Sequence, residues 1–268
     1  MEEIGGKMIK VAILITTFNR DELLYKAIQR LVDLNLKDCI VLVGDQGNIS
    51  EDKRNYYNNL KSEKFDWIEL PFDCGLSYGR NRLVELAKEK DCEYCIVSAD
   101  SIVFNKSLKN IANLFYLFDN NKKLGKIGFQ LNNRIGWEGW LSIIKNESFK
   151  LEFIDKSKYK IDNVINAKII PCNICKNVFI AKTESLIDIK YDENLKLMEH
   201  EDHCIRYYNK YLTLWTDLIS ADYINFKPES YNIYRRRMYG EFMKVLLKKY
   251  NFKKWILYVG LENAKKMY

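Results

Sequence analysis

Four strand-sized apolar runs occur before residue 105: Lys10–Thr16, Cys39–Gly44, Trp67–Leu70 and Tyr94–Ala99. Two of the gaps between them carry a helical period. Asp21–Leu34 sets Leu23, Ala27, Ile28 and Leu31 three or four positions apart, and Ser77–Lys90 does the same with Leu83, Leu86 and Ala87. Strand and helix therefore alternate, which predicts βαβ units, a parallel sheet with right-handed crossovers, and ligands beyond the carboxyl ends of the strands. The residues just past those ends are polar: Thr16-Thr-Phe-Asn-Arg20, Asp45-Gln-Gly47 and Ser98-Ala-Asp-Ser101. They are expected on one edge of the sheet. After Lys106 the pattern loosens into a helix around Leu108–Phe118, a glycine- and tryptophan-rich loop over 136–140 and a strand near Asn177–Ala181, with Pro171 and Pro228 as punctuation. That half reads as α+β.

Composition sets the bounds. The 268 residues are 47% hydrophobic and 29% charged with only three prolines, so a folded body without long disordered linkers is expected. The sequence begins Met-Glu-Glu, its first apolar run is strand-sized, and no run reaches the roughly 18 apolar residues of a membrane span. Seven cysteines, an odd number, fit reduced thiols and a cytoplasmic location. The net charge of +7 is confined to residues 229–268, with ten Lys/Arg against three Glu; residues 1–228 balance at 33 against 33. A local excess of this kind argues against a nucleic-acid partner. In 229–268 the charges alternate with Phe242, Leu246, Leu247, Tyr250, Trp255, Ile256 and Tyr258, the pattern of a basic amphipathic helix. Two readings stay open for it, packing on the core and attachment to an anionic membrane surface.

Several short motifs carry chemistry. Both histidines fall within Met198-Glu-His-Glu-Asp-His-Cys-Ile-Arg206 beside three carboxylates, a crowding that disfavours full ionisation and suits a general base. Asp73-Cys-Gly-Leu-Ser-Tyr-Gly-Arg-Asn81 sets glycines and an arginine at a helix start, where free N–H groups and a guanidinium suit a diphosphate. Asp100 ends an apolar strand, where one carboxylate can share a hard cation with substrate phosphates, or simply close a turn. Asp45 reads the same two ways. Trp137 and Trp140 flank Glu138 in a glycine-bounded loop and either stack on a sugar or fill a core. Cys92-x-x-Cys95 and Cys172-x-x-Cys175 lie too far apart for a zinc ribbon, and His200-x-x-His203 lacks the i,i+4 spacing of a hydrolytic zinc pair.

Taken in order, Thr-Phe-Asn-Arg, Asp, Gly-x-x-x-Gly-Arg-Asn, x-x-Asp-x and Glu-Asp with Arg four residues later resemble the GT-A glycosyltransferases, specifically the large inverting family 2, over about residues 10–210. The run Gly75–Asn81 with Glu-His-Glu-Asp is also similar to N-acetylgalactosaminyl- and galactosyltransferases. The resemblance implies an α/β, Rossmann-like GT-A fold with a mixed, mainly parallel sheet. It divides a domain over 1–228 into a nucleotide-binding half (about 8–105) and an acceptor half (about 106–228), followed by the extension 229–268. It implies that Thr17 and Phe18 line the nucleotide pocket with Arg20, Gly75 and Asn81, that Asp45 holds the uracil, and that Arg80 approaches the diphosphate. Trp137 and Trp140 are placed on the sugar. Asp100 stands in the Asp-x-Asp metal motif for Mn²⁺ or Mg²⁺, Asp202 of the Glu201-Asp202 pair is the catalytic base, and Arg206 structures its helix. The first position of Asp-x-Asp is Ser98, so Asp222 or the Arg235–Arg237 cluster is an alternative counter-charge. The implied partners are a UDP-sugar donor and a glycan or lipid-linked acceptor. A catalytically inactive sugar-nucleotide-binding scaffold is the alternative function.

Overall fold

β1 (Val11–Thr17) is buried along its whole length, as a central parallel strand covered on both faces must be. The computed structural model describes residues 10–132, 139–144, 148–224 and 229–258. After β1 come α1 (Asp21–Leu34), β2 (Cys39–Asp45), α2 (Glu51–Leu60), β3 (Phe65–Glu69), α3 (Leu76–Glu89), β4 (Tyr94–Ala99) and β5 (Ile102–Phe104). A 3₁₀ segment over Lys106–Leu114 leads into α4 (Phe115–Asn120) and β6 (Leu124–Asn132). Then follow β7 (Gly139–Ile144), β8 (Ser148–Phe153), β9 (Ile161–Asp162), β10 (Ala167–Cys172), β11 (Phe179–Lys182), α5 (Thr183–Asp188) and α6 (Glu199–Tyr208). β12 (Leu212–Tyr223), α7 (Glu229–Lys249) and β13 (Lys254–Tyr258) complete the order.

The main sheet runs β3-β2-β1-β4-β11-β6-β12-β10-β9, with β5 paired to β12. β3, β2, β1 and β4 are parallel throughout. Beyond β4 the pairings are antiparallel except for β6 with β12. The expected α/β architecture with a mixed sheet is present. A second sheet, β13-β8-β7, is joined to the segment after β10 by an antiparallel bridge between Gly139 and Ile174.

Strand alternation divides the core. Val11, Ile13 and Ile15 face one apolar cluster with Leu24, Ile28 and Leu31 of α1, whereas Ala12 and Leu14 face another with Leu83, Val84 and Ala87 of α3. Burial of a side chain the size of Leu24 or Ile28 contributes about 1.5–3 kcal/mol. α1 spans the predicted Asp21–Leu34 and stops where Asn35 turns left-handed at φ 43°.

The C-terminal segment departs from a single helix. α7 ends at Lys249, and residues 254–258, expected on the same helix, form a strand beside β8. Where α7 ends, Leu246 and Phe252 bury themselves against Leu195 and Met198, with Phe242, Leu247 and Tyr250 packed alongside. Core packing, one of the two readings of this segment, describes that apolar face.

Candidate functional site

A cavity of about 410 Å³ opens where the carboxyl ends of β1, β2 and β4 meet the first turns of α3 and α6. Such a volume suits a small organic ligand. Thr16, Phe18 and Arg20 line it from the β1–α1 connection, Gln46 from the end of β2, and Ala99 and Ser101 from the end of β4. Gly75, Leu76 and Arg80 contribute from α3, Lys176 and Asn177 from the approach to β11, and Lys196 to Glu201 from the approach to α6 and its first turn. Met238 and Tyr239 of α7 close the wall, so the extension forms part of the site.

The turn before α3 is built for close approach. Gly75 holds φ 91°, a conformation that favours glycine, and a Cβ there would meet Lys196 Cγ at 2.8 Å. Its N–H donates to Gln46 Oε1 at 2.6 Å. One turn on, Arg80 is buried over the Tyr191 ring at 5.1 Å and donates from Nη1 to Glu199 Oε1 at 2.7 Å. Its Nε, with Thr16 Oγ1 and Asn177 Oδ1, is buried without a hydrogen-bond partner among the described residues. Buried polar atoms left unpaired at a cavity wall are costly unless a ligand meets them. Lys176 and Lys196 add positive charge, Lys196 beside Asp73 Oδ2 at 3.0 Å. At the rim Phe18 meets Phe72 edge to face at 5.4 Å, and Phe72 is 62% exposed. An aromatic rim above a cationic wall accommodates a planar base joined to an anionic group.

Of the residues singled out from the sequence, Phe18, Arg20, Gly75, Arg80 and Glu201 line this cavity. Thr17 lies just beneath it, its hydroxyl donating to Asp100 Oδ2 at 2.9 Å. Asp45 differs from expectation. It is fully buried and outside the lining, with Oδ2 accepting from Tyr57 Oη at 2.6 Å and paired with Lys53 Nζ at 2.7 Å, and with Oδ1 accepting from the Gly47 N–H at 2.9 Å. Asn81 is likewise structural. Its amide donates to Tyr191 O and Glu193 Oε1 and its oxygen accepts from Tyr191 N, which pins the 191–193 segment to α3. Trp140, at the start of β7, is 37% exposed and outside the lining; Trp137 lies outside the described residues.

Asp202, expected as the base, turns away from the cavity. It is fully buried, with Oδ2 held by Arg206 Nε at 2.8 Å and Nη2 at 2.7 Å, and Oδ1 held by Tyr250 Oη at 2.9 Å and Lys249 Nζ at 2.6 Å. Every oxygen is engaged from α6 itself or from the end of α7. Glu199, His200 and Glu201 face the cavity in its place. His203 is a core residue: it stacks on Tyr191 at 4.1 Å, and its Nε2 donates to Ile189 O at 3.0 Å. Burial first, then the charges of Lys126 and Arg206, hold its pKa well below 6.5.

The surroundings of Asp100 do not fit a divalent cation. Arg20 donates from Nε to Oδ2 at 3.0 Å and pairs through Nη2 with Oδ1, while Thr17 takes Oδ2 as well. Ser98 presents a buried hydroxyl rather than a second carboxylate, and no group of three His, Cys, Asp or Glu side chains gathers among the described residues. A hard cation takes six or more oxygens and needs at least one carboxylate free to turn toward it. Burial raises the pKa of Asp100, with Arg20 and Thr17 acting in the opposite direction. Of the alternatives, Asp222 accepts from Asn132 at 2.9 Å and, being anionic, does not balance a diphosphate, and the Arg235 and Arg236 side chains lie outside the described ones.

Gln46 lines the cavity from the polar run expected at this sheet edge, whereas Lys176, Lys196 and Met238 line it without belonging to any sequence motif. Lys176-Asn177 stands immediately before the apolar run of β11, a polar pair preceding a strand rather than following one.

No family model matches the sequence, and no curated protein matches it. Solved structures do. S. aureus TarS 1-349 in complex with UDP-GlcNAc aligns with a TM-score of 0.58 at 12% identity, covering 88% of this chain and 64% of that one. The same protein in complex with UDP aligns at 0.54 and 14%, with the same coverage. The mannosyltransferase PcManGT from Pyrobaculum calidifontis, in complex with GDP-Man and Mn²⁺, aligns at 0.59 and 9%, covering 90% of this chain and 65% of that one. The chain thus spans just under two thirds of the length of these structures, and the shared feature is the fold, of GT-A type.

Proposed function

We propose that the chain is an inverting glycosyltransferase that takes a nucleotide-activated sugar, foremost a UDP-sugar, and transfers it to a hydroxyl of a glycan or lipid-linked acceptor. One observation carries the reading: on a GT-A-type fold, a single cavity joins the Phe18–Phe72 rim, the cationic wall of Arg80, Lys176 and Lys196, and the carboxylates at the start of α6. The UDP and UDP-GlcNAc bound by TarS and the GDP-Man bound by the mannosyltransferase support this ligand class.

In this reaction the aromatic rim takes the base and the cations meet the diphosphate. Glu201, the member of the Glu201-Asp202 pair that lines the cavity, accepts the acceptor hydroxyl proton as that oxygen bonds to the anomeric carbon. The bond from that carbon to the phosphate oxygen breaks on the opposite side, and the electron pair leaves with the nucleoside diphosphate. Arg80 and Lys176 neutralise the charge that develops there. Asp202 acts as a positioning residue that fixes α6 against α7. Acceptors carried on lipid fit the exposed Lys244, Lys248, Lys253 and Lys254, which form a cationic face for an anionic membrane surface.

Glu201→Gln is expected to lower transfer by a factor of about 10²–10⁴ while UDP binding, measured by calorimetry, stays within about twofold of wild type. If Asp202→Asn abolishes turnover with its melting temperature unchanged while Glu201→Gln remains active, the base is Asp202 and Glu201 is not. The engagement of every Asp202 oxygen favours one second reading, an inactive nucleotide-sugar-binding scaffold. UDP binding without transfer or donor hydrolysis on a broad donor and acceptor panel would establish that reading.

A further inference from the structure

Arg20 occupies an unusual place, with Asp100 behind it and the cavity in front. Its side chain is 13% exposed, and its guanidinium engages both oxygens of a carboxylate that is itself fully buried. A planar fork of this kind is fixed in position and permanently charged. It needs no loading step. We propose that Arg20 supplies the positive charge that a divalent cation would otherwise bring to the donor diphosphate, so that the chain binds its nucleotide without metal; this rests on the nucleotide-sugar function proposed above.

Three observations converge on the exchange. Ser98 replaces the carboxylate that would share a cation with Asp100, and its hydroxyl is buried without a hydrogen-bond partner among the described residues. Thr17 donates its hydroxyl to Asp100 Oδ2 at 2.9 Å and so competes with a metal for that oxygen's lone pairs. The cavity brings four cations to one wall, Arg20, Arg80, Lys176 and Lys196, with the carboxylates Asp73, Glu199 and Glu201 also in its lining. A metal entering here would have to displace the guanidinium and leave it beside a second cation, at a position with one carboxylate to offer.

Two measurements on the full chain test this. The first titrates Mn²⁺ alone into wild type, Asp100→Asn and Arg20→Met, followed by the electron paramagnetic resonance signal of free Mn²⁺. Wild type and Asp100→Asn are expected to leave the signal unchanged, and Arg20→Met, which releases Asp100, to reduce it. Mn²⁺ bound by wild type and lost in Asp100→Asn overturns the proposal whatever the protein does with nucleotides. The second measures UDP affinity by calorimetry in EDTA and in excess Mn²⁺. Affinities within about twofold, with Arg20→Met weaker by about tenfold or more and Arg20→Lys intermediate, are the expected result. A tenfold or greater loss of wild-type affinity in EDTA overturns the metal-free assignment. Absence of binding to UDP and GDP in both conditions instead overturns the nucleotide-sugar function, with the Mn²⁺ titration still deciding whether Asp100 holds metal.

Discussion

Asp100 and Asp202 are equally buried, and each has both oxygens engaged by an arginine fork and a hydroxyl, yet they draw their partners from opposite ends of the chain. Asp100 is held by Thr17 and Arg20, within the connection that follows β1. Asp202 is held by Arg206 on its own helix and by Lys249 and Tyr250 at the end of α7. The parallel half therefore completes its own carboxylate site. The half beyond β4 does not: its buried acid and part of its cavity wall depend on residues that follow 228.

The largest expected effect comes from breaking the self-contained site. Arg20→Ala strands a buried carboxylate, and removal of one partner from a buried pair costs about 3–5 kcal/mol. For a chain of this size that lowers the melting temperature by about 10 °C. Adding Asp100→Asn to Arg20→Ala is expected to recover much of the loss, because the uncompensated charge disappears with its partner. Equal melting temperatures for the single and double variants would show that Arg20 and Asp100 are not coupled.

The same contrast explains what the sequence makes legible. β1, α1, β2, α3 and β4 announce themselves because Leu23, Ala27, Ile28 and Leu31, or Leu83 and Ala87, repeat at one period while the strands run unbroken. α2 does not, since Glu51–Leu60 is mostly polar and fully buries only Lys53 and Tyr57, the two side chains that hold Asp45. Its Ser50 cap, which accepts from Lys53 N, was the readable signal. β6 hides because Lys126, fully buried against the Tyr207 ring at 4.4 Å, interrupts its apolar run. In the site, residue types and order mark Phe18 and Arg20 in the connection after β1, Gly75 at the start of α3 and Arg80 within it. The orientation of Asp202 is illegible, because it is set by Lys249 and Tyr250, more than forty positions away.

Tyr250→Phe tests the dependent half. The hydroxyl donates to an ionised carboxylate, a bond worth about 1.5–3 kcal/mol, and burial and the charge of Asp202 both raise the tyrosine pKa, so the phenol stays protonated as donor. Loss of about 2 kcal/mol in urea unfolding is expected, whereas Lys249→Met, whose side chain is 31% exposed, costs at most about 1 kcal/mol. A larger loss for Lys249→Met than for Tyr250→Phe would reverse the ranking of the two contacts.

Acidification separates the two halves by sign. His203 is neutral in the folded state and its pKa is depressed, so below the unfolded-state value of about 6.5 the unfolded chain binds a proton that the folded chain refuses. Its contribution is full above that pH and declines as the pH falls, by about 1 kcal/mol per unit. Asp100, with a raised pKa, acts oppositely: from its folded pKa down to the ordinary 3.8, the folded state binds the proton more tightly and gains stability. His203→Phe is expected to flatten the fall in stability between pH 6.5 and 5, and Asp100→Asn to leave that interval's His203 slope in place. An unchanged slope in His203→Phe would assign the acid sensitivity to other groups.

The smallest effect is expected on the outer face of the C-terminal segment, where the dependence of one half on the other ends. Lys244, Lys248 and Lys253 are exposed, and so is Lys249, which is in addition paired with Asp192 and Asp202. Replacing all three by glutamate is expected to change stability by less than about 0.5 kcal/mol per site, because charge changes away from specific contacts seldom do more. The same variant is expected to lose co-sedimentation with phosphatidylserine vesicles at low salt, since each lysine near such a surface is worth about 1 kcal/mol. Equal pelleting of wild type and variant would leave the membrane-surface proposal without its cationic face, while the packing of Leu246 and Phe252 on Leu195 and Met198 would stand unaffected.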